Sequence, residues 1–181
     1  RLKNARILIA DEKRSNPQNA IPYLLDNYVD YFALLTTENK DDFENLKRNK
    51  ALRITRIEKE NKNSPYYLYA QAEINLQWAL TRSRFDEFFT AGLEINKAYN
   101  QLQENKKIYP SFLPNQKDLG LIEALLGSLP DGLKKTMSVF GLHANTQRGV
   151  KMLENLLKVL PQSSYSHFYD ESVFYLSYIK I

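Results

Sequence analysis

Few residues in this chain have the type and spacing to do chemistry. There are two histidines, His143 and His167, 24 residues apart. Asp170 and Glu171 follow His167 at three and four residues, which places the three side chains on one helical face. Such a group would hold a divalent cation weakly, and negative charge beside a helix start is more simply explained by the helix dipole. His143 falls in a predicted turn. The carboxylate pairs Asp41-Asp42 and Asp86-Glu87 also fall near predicted helix starts. Cysteine is absent, which excludes disulfides, zinc–cysteine sites and thiol nucleophiles. The chain has no glycine-rich phosphate loop, no Gly-x-Ser-x-Gly elbow and no His-Glu-x-x-His. The sequence therefore predicts no catalytic residue, no metal-ligand set, no cofactor site and no enzymatic activity.

Binding is the remaining kind of function, and composition limits its partners. The formal net charge is only +4, and basic runs such as Lys47 to Lys50 sit among Asp41, Asp42 and Glu44. A nucleic-acid surface would show a denser basic stripe, so these charges read as a solvated helix face. No apolar run approaches the ~18–20 residues of a membrane helix. Tyrosine is abundant, with 12 residues; Tyr66, Tyr67 and Tyr69 form one cluster and Tyr165, Tyr169, Tyr175 and Tyr178 another. Tyrosine is favoured at interfaces, but packing between helices with hydroxyls at the rim is the simpler role for most of them. The first residue is Arg1, which suggests a removed leader or a start inside a longer protein.

The elements that must position these residues are helices. Apolar residues recur at three and four residues nearly throughout, and strand alternation with turn pairs is missing. The clearest hairpin spans 64–106. Ser64 is a good N-cap and Pro65 suits the first helical position. Leu68, Ala72, Leu76 and Ala79 line one side of the helix, and Ala70, Ile74 and Trp78 another. A helix apolar on two sides is buried, so Trp78 is expected inside. After a polar break at Thr81 to Arg84, an outer helix should bury Phe85, Phe88, Phe89, Gly92, Ile95, Tyr99 and Leu102. An earlier hairpin, 19–62, pairs a helix capped by Asn19 with a second capped by Asn39. Pro22 aligns with Pro65 at an offset of 43 residues, and Tyr23 with Tyr66. Such a period in helical pairs is the mark of a solenoid. Further hairpins are predicted at 116–140 and 145–181. The last segment, from Tyr165, is apolar on several sides and predicts a missing neighbour.

The stretch from Ala72 to Leu157 adds a resemblance. It holds an Ala-Glu-x-x-Leu-Gln-x-Ala-Leu helix (Ala72 to Leu80), Leu119-Gly120 before a helix ending at Leu129-Pro130, a Phe140-Gly141 turn, and Gly149 to Leu153 as Gly-x-x-x-Leu. In order and spacing these features resemble a divergent tetratricopeptide-repeat family. That family includes mitochondrial outer-membrane and inclusion-body-clearance proteins and uncharacterised proteins of Gram-negative bacteria. The standard repeat consensus fits poorly, with Phe88 in the place of a small alanine and Gly92 in that of an aromatic. The resemblance implies a helical-repeat fold and no catalytic residue.

The expectation is an all-α chain of stacked antiparallel hairpins. It would be a tetratricopeptide-like solenoid with a right-handed superhelix, one domain over 1–181 and part of a longer array. Its expected function is a non-catalytic scaffold for a protein or peptide, bound on the inner helices by Tyr67, Gln71, Asn75 and Trp78. The alternative is a cell-envelope module for a glycan or lipid. Single-stranded nucleic acid is the weakest reading. Self-association through the C-terminal helix is also expected, and an exported, periplasmic location in a Gram-negative bacterium is favoured over the cytoplasm.

Overall fold

In the computed structural model, residues 2–129 and 144–180 are described. They form α-helices and short 3-10 turns, with no strand among them. The chain divides into two compact units, Arg1–Ala98 and Tyr99–Ile181. The predicted helix Asp131 to Phe140, with Pro130, the Phe140-Gly141 turn and His143, lies outside the described residues.

The first unit holds α1 (Leu2–Ser15), α2 (Ile21–Thr37), α3 (Lys40–Leu46), α4 (Asn49–Ile57), α5 (Pro65–Arg84) and the start of α6 (Phe88–Ile108). Local chemistry sets their ends. The Asn39 side chain accepts from the Asp42 backbone N–H and opens α3, while Ser64 does the same for Tyr66 with Pro65 in the first turn of α5. Asn19 acts one step earlier than expected, accepting from Ile21 N–H at 3.0 Å, and Ala20 takes the cap position. Helix α5 runs through the expected polar break. It stops instead at Phe85 to Glu87, where Asp86 is left-handed at φ 61. Two elements differ from the sequence reading. Helix α1 was not foreseen, because it buries only Ile9 and has no full apolar face. The second helix of the first hairpin is broken into α3 and α4 at Lys47-Arg48, where neither proline nor glycine marks a turn.

Helix α5 is the axis of this unit. Leu34 of α2, Phe43 of α3, and Ile54 and Ile57 of α4 form one core with Ala70, Ile74 and Trp78 of α5. Beside it runs a buried polar network. Trp78 Nε1 and Arg53 Nη1 both donate to Asn27 Oδ1, at 2.8 and 3.1 Å. Asn27 Nδ2 donates to Gln77 Oε1, and Gln77 Nε2 to Glu73 Oε1, each at 2.8 Å. Arg53 also bonds Asp30 at 2.6 Å, and Arg6 of α1 reaches the same carboxylate at 2.8 Å. Fully partnered, such a network fixes the register of α2, α4 and α5; half-partnered, it would cost more than an apolar core.

The second unit contains the remainder of α6, α7 (Pro114–Gly127), α8 (Thr146–Val159) and α9 (Tyr169–Lys180), with 3-10 turns at Leu160–Gln162 and Ser166–Phe168. Helices α7 and α8 meet backbone to backbone. A Cβ on Gly149 would come within 2.5 Å of the Gly120 carbonyl oxygen, and one on Gly127 within 2.2 Å of the Thr146 nitrogen. This close approach is the packing reason for a glycine at 149 inside a helix, where glycine otherwise costs stability. Glu123 of α7 then fastens the start of α8, accepting from the Asn145 backbone N–H and from the Arg148 guanidinium. Lys117 is fully buried. Its ammonium lies 2.9 Å from both Asp118 and Glu171 and about 5 Å from the Tyr175 ring.

A candidate binding cleft on the first unit

The chemistry-bearing residues noted in the sequence do not converge. His167 is exposed, with its ring 4.3 Å from that of Phe168. Glu171 bonds Lys117 and the Tyr175 hydroxyl. Asp86 is exposed in its turn, while Glu87 pairs with Arg82 and Lys47. Asp41 and Asp42 occupy the first turn of α3. Among the described residues, no three His, Asp or Glu side chains gather as a metal site.

A cleft of about 500 Å³ does form, between α4 and α6 with α5 as its floor. One wall is a single face of α4 and the turn before it: Lys47, Lys50, Ala51, Ile54, Thr55 and Glu58. These recur at three and four residues, as one helical stripe must. Leu93, Glu94 and Lys97 of α6 form the opposite wall, and Asn75 and Arg82 of α5 lie beneath. The cleft's lining thus carries four cations against two carboxylates.

Glu94 organises those charges. Its Oε1 receives Lys50 Nζ at 2.6 Å and Arg82 Nε at 3.0 Å. Arg82 is itself held over the Phe43 and Trp78 rings, 5.9 Å from each. The cleft floor is therefore tied directly to the core. Lys47 pairs with Glu44 at 2.6 Å and lies 3.6 Å from Glu87. Burial strips water from Lys50 and pulls its ammonium below the usual 10.5; Glu94 opposes this, while Arg82 and Lys97 add to it. Lys97 is exposed and has no hydrogen bond or ion pair among the described residues.

No protein-family model, curated protein or solved structure matches this chain. The cleft must therefore be read from its own geometry.

Of the four contact candidates on the inner helix, only Asn75 lines the cleft. Trp78 is 2% exposed, as its two-sided apolar setting implied, and Gln71 is also buried; Tyr67 is half-buried. The buried stripe of α6 differs too. Gly92 and Leu102 are buried as expected, but Ala91, Glu94, Ala98 and Asn105 share the inner face with them, while Phe88 and Phe89, expected inside, are 62% and 76% exposed. Ala91 and Ala98 take part of the inner face, and Phe88 and Phe89 turn outward. The cleft residues Lys47 and Lys50 read in the sequence as a solvated face, and Arg82 as part of a polar break. Their signal was the spacing of the α4 set, which only the α6 wall converts into a site.

Proposed function

We propose that this chain is a non-catalytic scaffold that binds a protein or peptide segment in the cleft between α4 and α6. The observation that carries this reading is the combination of that cleft with exposed Leu93, Phe88 and Phe89 on α6. Apolar groups that remain exposed beside ordered charges are characteristic of an interaction site. The stacked helical pairs expected of a tetratricopeptide-like array supply such grooves repeatedly. A glycan site would place stacking rings along the cleft, and among the described residues no aromatic side chain is part of its lining.

Selection from a random peptide library on the immobilised protein tests the reading. Enriched peptides should shift the amide resonances of Lys50, Leu93 and Lys97, and Leu93→Asp should abolish their binding. Failure to enrich any peptide, or enrichment indifferent to Leu93→Asp, would overturn it.

A further inference from the structure

We infer that the segment bound in this cleft belongs to a partner protein and presents an acidic side chain to Lys97 beside a large apolar side chain on Leu93 and Phe89. This rests on the peptide-binding reading above and specifies its ligand.

The argument begins with the spacing on α6. Phe89, Leu93 and Lys97 stand four residues apart, so they form one stripe along the helix. Each step rises about 6 Å. The stripe changes from apolar to cationic along its length, with Phe89 76% and Leu93 42% exposed. A ligand that follows it must make the same change with opposite charge. Side chains about 6 Å apart are two residues apart in an extended chain or four apart in a helix. The fitting patterns are therefore apolar-x-acidic and apolar-x-x-x-acidic.

Charge balance selects the acidic group. Lys47, Lys50 and Arg82 each already have a carboxylate of their own chain, whereas Lys97 has none among the described residues. Lys50 is crowded by two further cations, Arg82 and Lys97, and shares Glu94, its one ion-pair partner among the described residues, with Arg82. A carboxylate from outside at Lys97 would complete that group, because opposite charges in a partly desolvated cleft attract more strongly than in water. Ala51 and Ile54 on the facing wall would cover the apolar side chain. Glu58, at the far end of the α4 wall, disfavours a second acid beyond the first.

The test is calorimetric titration of the full chain with capped peptides carrying Phe-x-Glu or Phe-x-x-x-Glu. One spacing should bind, and replacing its Glu with Lys should weaken it about tenfold or more. Lys97→Glu lies on an exposed position, so folding is retained; dichroism checks this. That variant should reverse the preference, binding the Lys peptide and rejecting the Glu peptide. Equal affinity for Glu and Lys peptides, with binding still lost in Leu93→Asp, would overturn the acidic specificity and leave the cleft as a peptide site. Binding unaffected by both substitutions would remove the cleft itself. Inorganic phosphate competing as well as the Glu peptide would show a simple anion site and overturn the two-point recognition.

Discussion

A Cβ placed on Gly149 would lie 2.4 Å from the backbone nitrogen of Ala124. No rotamer relieves this clash, because the obstacle is the main chain of α7. Glycine in a helix normally costs ~0.5–1 kcal/mol relative to alanine, so Gly149→Ala would stabilise an isolated α8. In the folded chain it should instead destabilise by about 1–3 kcal/mol or more through overpacking. Denaturant unfolding checks this, with exposed Lys151→Ala expected to change stability by less than ~0.5 kcal/mol.

Trp78→Ala removes the largest side chain of the first core together with a donor to Asn27. The expected loss is about 3–5 kcal/mol. Trp78→Phe keeps most of the volume and leaves Arg53 as a donor to Asn27 Oδ1. It should cost clearly less, and equal losses from the two substitutions in thermal or urea unfolding would contradict the packing described.

Asp30 separates a buried ion pair from a half-exposed one. It is 1% exposed and receives Arg53, which is also buried, and Arg6, whose side chain is 43% exposed. Asp30→Ala leaves the Arg53 charge without its close partner and should cost about 3–5 kcal/mol. Arg6→Ala should cost at most about 1 kcal/mol. Similar losses in urea melts would refute this ordering.

Lys50 should titrate below 10.5 in nitrogen-detected NMR of the lysine side chains. Burial is the main cause, and Glu94 is the principal opposing group. Glu94→Gln should therefore lower the value further, and Lys97→Met should raise it. The sign for stability follows from proton counting. Between the lowered value and 10.5 the unfolded chain holds the extra proton, so the contribution of this group to stability rises with pH across that window. A Lys50 titration at or above 10.5 would show that the pairing with Glu94 outweighs the burial of the ammonium.

Much of the helical organisation was legible because it is local. Ser64-Pro65, Asn39 and Asn145 start helices as their side chains dictate. Gly149 is explained only by the neighbouring main chain of α7, which its missing Cβ lets approach. What escaped was tertiary. Helix α1 has no strong apolar stripe, and it is attached largely through polar groups such as Arg6 to Asp30. Phe88 and Phe89 match a buried period, but Ala91 and Ala98 take the inner face, and only packing decides between them. The cleft escaped because Lys50 and Lys97 are ordinary surface residues until Glu94 and Leu93 are placed opposite α4.

The chain has a single tryptophan, and Trp78 lies where the core meets the cleft floor. Arg82 rests over the indole face, while the indole N–H is held by Asn27. The emission of the whole protein therefore reports on one junction, without a label. A ligand that draws Arg82 toward the cleft would withdraw a charge from the excited-state dipole and shift the colour of that emission. Occupancy of the cleft could then be followed optically in the unmodified chain, while events far from this junction would leave the signal unchanged.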